Sequence, residues 1–223
     1  MSPIAAIVFK DIAIEYKNKE AFSSMVLFGI LVVVIFSFAF EGSDRKALAT
    51  SLAPGMLWVA YSFAGILGLN RSLSMETDND CLQGLLLSPL SRSDLYLGKV
   101  AGNFVFTIIA ELVLLPFFIV LNNLAFDGKL LWIIAITLLG TLGFVAIGTT
   151  LSLISAQTRM KEVMLPVLQI PMTFPVILSA VQAMTLVMTD DPRGISFPLS
   201  LLGVFSTVYL TASYFVFEYL VEE

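Results

Sequence analysis

One acidic residue, Glu111, lies deep inside a long apolar stretch and is the side chain best placed to do chemistry. It is the twelfth residue of an apolar run of 22 residues that begins at Val100. A carboxyl group at such a depth in lipid is costly, so a functional role is the first interpretation. Glu111 would relay a proton or contact a cationic group on a substrate. The alternative is a protonated carboxyl between helices, hydrogen-bonded to a Ser, Thr or Asn side chain.

The composition excludes several kinds of catalytic and metal site. The chain of 223 residues contains no histidine and a single cysteine, Cys81. Ser-His-Asp and Cys-His catalysis, His-ligated zinc and an axial histidine to a heme iron are therefore absent from this chain. No GxxxxGK[ST] motif occurs, so any ATP that drives the protein must bind another subunit. We expect neither an enzyme nor a nucleic-acid-binding protein.

The longest polar interruption, residues 71–99, is called the coupling segment below. An acidic start, a run of leucines and a proline predict a short amphipathic helix at the membrane surface. Ser91-x-x-Asp94 has the form of a capping box, so the next helix should begin there. Exposed leucines held between two spans would contact a soluble partner protein, and a structured loop resting on lipid headgroups is the alternative. The residues assigned to this contact are Glu76, Asp80, Leu82, Gln83, Leu85, Leu86, Leu87, Ser88 and Pro89.

Six apolar spans must position these residues. The chain is 58% hydrophobic and only 13% charged, which is typical of an all-α integral membrane protein. A span needs roughly 20 residues. The predicted spans are 22–40, 51–69, 100–121, 130–154, 163–178 and 199–221. Three prolines predict that the fifth span is kinked and ends near Leu178, with the following residues turning back as short helices.

Two further patterns concern helix packing. Ile4, Val8, Ile12 and Tyr16 recur every four residues, which predicts that residues 1–20 form a helix lying in the membrane interface. Small residues that stand four apart let helices approach closely, and in the second span this stripe is formed by Ala60, Ala64 and Gly68. Such a stripe more often packs within its own chain than between chains.

The positions of Lys and Arg predict the orientation in the membrane. With six spans, eight of the twelve basic residues fall on the side that holds both termini and the coupling segment. Because basic residues favour the cytoplasmic side, we expect both termini and this segment in the cytoplasm.

The order and spacing of several short motifs resemble the heme exporter protein B family. The resemblance covers most of the chain and is densest in three places. These are Ala53-Pro54-Gly55-x-x-Trp58-Val59-Ala60 with Asn70-Arg71; Leu82 to Leu90 with Leu97-Gly98-Lys99; and Gly140 to Phe144 with Pro166, Pro171 and Pro175. The chain departs from the family pattern at Asp80 and Gln83, where the family tends to have glycine and glutamate.

The resemblance implies a permease of the ABC-2 (type V exporter) kind, with an N-terminal interfacial helix, a cytoplasmic coupling helix and re-entrant helices before the sixth span. The implied location is the bacterial inner membrane. The implied function is heme export, or release of a heme chaperone, during c-type cytochrome biogenesis. The implied partners are an ABC ATPase subunit, a second heme-handling membrane protein, a small membrane peptide and a periplasmic heme chaperone. A homodimer is a further option.

Two other functions remain open from the residues alone. One is an ABC-2 permease for another amphipathic cargo, such as a lipid or a glycan. The other is a membrane scaffold that moves nothing. No metal ligands are assigned in this chain, and the nine methionines are most simply packing residues.

Overall fold

Seven helices account for nearly all of the residues that the computed structural model describes, which are 3–39, 45–78, 91–122, 128–156, 158, 161–189 and 194–220. In chain order they are α1 (Pro3–Asn18), α2 (Glu20–Ala39), α3 (Arg45–Asp78), α4 (Arg92–Asn122), α5 (Leu130–Ala156), α6 (Lys161–Met188) and α7 (Ser196–Leu220). Six helices are long and apolar enough to cross a membrane. The prediction of an all-α protein with six spans is therefore confirmed.

The six spanning helices run alternately up and down, so the bundle has two ends. At the end called the Asp11 end, α1 lies beside the start of α4, and the start of α2 lies beside the last turns of α3, where Arg71 forms an ion pair with Glu20. At the other end, called the Asn122 end, Asn122 Nδ2 donates a hydrogen bond to Ser37 Oγ at 3.2 Å. Helices α3, α4 and α5 occupy the centre, because each packs against at least four of the other helices.

The N-terminal helix α1 packs across the first turns of α4. Lys19, with a φ of 24°, separates α1 from α2 and lets the chain change direction. A Cβ atom added to Gly98 would lie 2.9 Å from Ile7 Cβ, so the glycine permits the close approach of α1. Ile7 is buried, whereas Ile12 of the predicted apolar stripe is exposed. The packed face of α1 is therefore centred on Ile7 and not on Ile12.

The fifth spanning helix, α6, is longer than the sequence predicts. We expected the helix to end near Leu178, but α6 continues to Met188 through Pro166, Pro171 and Pro175. Hydroxyl groups bond carbonyl oxygens along the proline-rich stretch: Thr173 bonds Gln169 O at 2.8 Å and Ser179 bonds Pro175 O at 2.7 Å. The helix also packs against α3, α5 and α7, and membrane helices tolerate proline where neighbouring helices support the backbone. The predicted turn back into short helices after Leu178 is wrong.

Two helices extend beyond the predicted apolar spans into the coupling segment. Helix α3 continues to Asp78, and α4 begins at Arg92, where the capping box predicts a helix start and before the apolar span predicted from residue 100. The backbone N–H of Asp94 donates to Ser91 Oγ at 3.0 Å, which is the N-terminal cap that the sequence predicts. Helical hydrogen bonding does not depend on lipid, so a helix end need not coincide with the end of the apolar stretch.

Candidate functional site: a polar stripe inside the bundle

Four polar residues of α4 share one buried face of the helix. Lys99, Asn103, Thr107 and Glu111 are spaced by four, which places their side chains one above the other. All four are buried. The row is about 18 Å long at a helical rise of about 1.5 Å per residue. We call these residues the α4 polar stripe; the stripe runs from the Asp11 end to the middle of the bundle.

The first residue of the stripe forms a buried ion pair with α1. Lys99 Nζ lies 3.1 Å from Asp11 Oδ1 and 2.9 Å from Asp11 Oδ2, and the two side chains are 3% and 13% exposed. Gly102, one turn along α4, lies under the same carboxylate, because a Cβ there would be 3.2 Å from Asp11 Oδ2. A charge buried to this extent requires a partner. The ion pair therefore fixes α1 to α4.

The second residue of the stripe joins three helices. Asn103 Oδ1 accepts a hydrogen bond from Ser72 Oγ of α3 at 3.1 Å, and Asn103 Nδ2 donates to Thr149 Oγ1 of α5 at 3.1 Å. Hydrogen bonds between membrane helices contribute about 0.6 kcal/mol on average. The contribution of Asn103 is therefore mainly to fix the register of α3, α4 and α5.

Glu111 lies at the inner end of the stripe between α3 and α5. Its Oε2 accepts a hydrogen bond from Thr141 Oγ1 at 2.7 Å, and the residue is 2% exposed. The Tyr61 hydroxyl donates to the backbone carbonyl of Glu111 at 3.3 Å. This geometry agrees with a protonated carboxyl between helices that is hydrogen-bonded to a threonine, which the sequence left open beside a functional role.

A second buried amide, Gln169 of α6, lies near the Asp11 end. Neither Nε2 nor Oε1 has a hydrogen-bond partner among the described residues. The amide packs on the backbone of α5, because a Cβ added to Gly148 would lie 2.6 Å from Gln169 Nε2. An unbonded buried amide costs roughly 1–3 kcal/mol. The Asp11 half of the bundle therefore contains polar groups that its present packing does not fully satisfy.

The predicted packing stripe of the second span lies inside the bundle. Ala60 and Ala64 are buried in the core of α3, and Gly68 faces α2, where a Cβ would lie 2.5 Å from Met25 Sδ. Helix α3 also approaches α5 closely, because a Cβ on Gly65 would lie 2.6 Å from Phe144 Cε1. The small residues are thus positioned for contacts within this chain.

Most residues assigned to the coupling contact lie outside the described residues. Glu76 belongs to the last turns of α3. The residues outside the described ranges are Asp80, Leu82, Gln83, Leu85, Leu86, Leu87, Ser88 and Pro89. The structure does describe the helices on either side, α3 up to Asp78 and α4 from Arg92.

The sequence analysis missed three residues of the α4 polar stripe. Lys99 was assigned to the end of the coupling segment, and Asn103 and Thr107 were assigned no role. The spacing of four from Lys99 to Glu111 was the signal that would have found them. It was missed because the apolar span was counted from Val100, so Lys99 was grouped with the polar segment before it and not with the helix face that it shares with Glu111.

The chemistry of the described residues is that of proton binding and hydrogen bonding. No group of three His, Cys, Asp or Glu that could hold a metal ion occurs in the described part of the chain. Six apolar helices that enclose a polar stripe define a multi-pass α-helical membrane protein.

The chain also matches a known protein family. The family model described as CcmB protein matches residues 2–222, and the chain therefore belongs to the CcmB family. Curated relatives named Heme exporter protein B are similar along most of their length. The protein of Bradyrhizobium diazoefficiens is 29% identical over 94% of this chain and 93% of its own. That of Haemophilus influenzae is 25% identical over 94% and 92%, and that of Rhodobacter capsulatus 24% over 78% of each.

Proposed function

We propose that the chain is the membrane permease subunit of an ABC transporter that serves heme export in c-type cytochrome biogenesis. The observation that carries this proposal is the family match over residues 2–222. The relatives are named Heme exporter protein B, and this name indicates heme as the cargo. Six helices of spanning length are what a permease requires. The subunit itself is not catalytic, because family members are transport subunits and the sequence has no P-loop.

The partners expected of this subunit are an ABC ATPase, a second heme-handling membrane protein, a small membrane peptide and a periplasmic heme chaperone. A second copy of the chain would complete a dimeric pore. The protein is a multi-pass protein, and we place it in the bacterial inner membrane with both termini in the cytoplasm, because eight of its twelve basic residues lie on that side. A reporter that is active only in the cytoplasm should then be active when it is fused after Glu223, and a reporter that is active only outside the cytoplasm should be inactive there.

The coupling segment is the part of the chain that we assign to the ATPase. It includes the end of α3 and the start of α4, and the start of α4 is fixed to α1 by the buried Lys99–Asp11 ion pair. A displacement of the segment would therefore be passed to two of the central helices of the bundle. This arrangement supports a role in transmitting the movements of a partner that hydrolyses ATP.

The function is tested by deleting the gene and restoring it as wild type, Leu86→Asp or Leu86→Met. The deletion should abolish covalently heme-bearing c-type cytochromes, and the wild-type gene should restore them. Leu86→Asp places a charge on the proposed contact and should restore less than about a tenth of the wild-type level, because charge in an apolar contact weakens binding by more than about 1.4 kcal/mol. Leu86→Met keeps the apolar volume and should behave as wild type.

The same strains distinguish the alternatives. Normal c-type cytochromes in the deletion strain would contradict a role in heme export and favour another amphipathic cargo. Full activity of Leu86→Asp, with the protein present in the membrane, would contradict the coupling contact but not the heme function. Full activity when the partner ATPase carries a substitution that abolishes ATP hydrolysis would favour a scaffold.

A further inference from the structure

The environment of Glu111 contains hydroxyl groups and no neutralising cation among the described side chains that face it. Thr141 of α5 donates to its carboxylate oxygen, and Tyr61 of α3 donates to its backbone carbonyl. Helix α5 has no charged residue, and the single charged residues of α2 and α7, Glu20 and Glu218, lie towards the Asp11 end. An ionised carboxylate buried in this way would cost more free energy than binding a proton.

The charged groups nearest along the same helix face lie at the other end of the α4 polar stripe. They are Lys99 of α4 and Asp11 of α1, three helical turns from Glu111. Their mutual ion pair already neutralises Lys99, so it does not serve as the counter-ion of Glu111. Glu111 is therefore placed to hold a proton of its own.

The stripe gives this proton a polar route to water in one direction. At the Asp11 end, Asp11 also contacts Lys10, whose side chain is 34% exposed. Between Asp11 and Glu111 lie Asn103 and Thr107, each one turn from the next polar residue. Neighbours at this spacing are about 5–6 Å apart. One water molecule spans such a gap with two hydrogen bonds of about 2.8 Å each.

The opposite direction offers no such route among the described residues of α4. Beyond Glu111, the buried face of the helix continues as Leu114, Leu115 and Phe118. Leu114 packs tightly against α2, because a Cβ added to Gly29 would lie 2.4 Å from Leu114 Cδ1. Close apolar packing leaves no room for water. Among the described residues of α4, the buried polar side chains adjacent to Glu111 therefore lie on the side of the Asp11 end.

We propose that Glu111 is a proton-binding site that exchanges its proton with the aqueous phase at the Asp11 end of the bundle, along the α4 polar stripe. This function goes beyond the proposed role in heme export and does not depend on the cargo. It also links the proton to the helix arrangement, since a movement of α4 relative to α5 would break the Glu111–Thr141 hydrogen bond. A rearrangement that admitted water to Glu111 would then release the proton.

The proposal is tested by infrared spectroscopy of the full-length protein in lipid nanodiscs. Exposed carboxyl groups are ionised at pH 7. A C=O stretching band of a protonated carboxyl should nevertheless be present at that pH and disappear in Glu111→Gln. On transfer to deuterated buffer the band should shift as the carboxyl proton exchanges, and the rate of this shift measures access to Glu111. Absence of the band from the wild-type protein would overturn the proposal.

Two matched variants test the route. Thr107→Val removes a hydroxyl from the α4 polar stripe with almost no change of volume, and it should slow deuteration of the Glu111 band by about tenfold or more. Thr173→Val makes the same change at a buried threonine of α6 that bonds only the backbone of its own helix, and should leave the rate unchanged. Equal rates in all three proteins, or equal slowing by both substitutions, would contradict the route. These readouts do not require heme, so their failure is distinct from failure of the proposed function.

Discussion

The Asn122 half and the Asp11 half of the bundle differ in what fills the space between their helices. The Asn122 half is filled by a large apolar cluster that includes Val33, Leu114, Phe118, Ile133 and Met184. The Asp11 half has a smaller apolar cluster around Tyr96 and Val145, interleaved with the buried polar side chains of Lys99, Asn103 and Gln169. Of the two halves, the second is the one with a described buried charge, Lys99.

This difference shows which part of the bundle is suited to rearrangement. Closely packed apolar side chains must shift together when helices move, because they leave little free volume. Polar groups can exchange partners or bind water, and the amide of Gln169 has no hydrogen-bond partner among the described residues. The half of the bundle beside the coupling segment is thus the half whose interior tolerates a change of helix packing.

The ion pair of the Asp11 half should give the largest effect on stability. Asp11→Asn leaves the Lys99 ammonium group buried without its counter-ion and should lower the free energy of unfolding by roughly 3 kcal/mol. Combining it with Lys99→Met should recover most of the loss. Thermal unfolding in detergent, followed by the fluorescence of the two tryptophans, measures both changes.

Lys10→Gln is the matched control for that experiment. Lys10 also contacts Asp11, at 3.1 Å, but its side chain is far more exposed than that of Lys99. Its removal should cost less than about 1 kcal/mol. If Asp11→Asn costs no more than Lys10→Gln, the contrast between a buried ionic half and an apolar half is wrong.

The packing of the Asn122 half should give an intermediate effect. Gly140 of α5 lies against Trp58, and a Cβ there would be 2.2 Å from Trp58 Cη2. Gly140→Ala should therefore lower the free energy of unfolding by about 2 kcal/mol, because the indole ring must shift in a filled core. Unfolding by denaturing detergent, compared with the wild type, measures the loss.

Gly203→Ala makes the same substitution where a Cβ meets no atom within 4 Å. It should leave stability unchanged or raise it by up to about 1 kcal/mol, through the better helix propensity of alanine. Equal effects at Gly140 and Gly203 would show that the apolar half is more loosely packed than these contacts indicate.

The two buried amides of the Asp11 half should give the smallest effects, of opposite sign. Asn103→Leu leaves Ser72 and Thr149 without a shared partner and should lower the free energy of unfolding by about 1 kcal/mol. Gln169→Met removes an amide that forms no hydrogen bond among the described residues, and should leave stability unchanged or raise it by about 1 kcal/mol. A loss of stability in Gln169→Met would mean that the amide is bonded, for example through water.

The spans and their number could be predicted from the sequence, but some of their ends could not. The lengths of the apolar stretches predicted the number and approximate positions of the six spans. The capping box Ser91-x-x-Asp94 correctly marked the start of α4. The end of α6 was misjudged because proline was treated as a local helix breaker, whereas contacts with α3, α5 and α7 support the helix. Those contacts depend on neighbouring turns and helices that local propensity does not include.

The candidate site was predicted only in part. Glu111 was found because an acid within a long apolar run is visible in any window of sequence. The partners of the site were not found, because Asp11 and Lys99 are 88 residues apart and Glu111 and Thr141 are 30 apart. No local pattern of residues states which faces of two helices will meet.

The sequence by itself determined that this protein crosses the membrane six times and has one carboxyl group near the middle of a span. It did so because the free energy of transfer into lipid is a sum over single residues, and needs no knowledge of what lies beside them. Only the tertiary structure decided that α1 is fixed to α4 by a buried ion pair, and that Lys99, Asn103, Thr107 and Glu111 all face the interior. Helix packing sets those relations, because shape and hydrogen bonding between distant segments select one arrangement of faces from many that transfer energies leave equivalent.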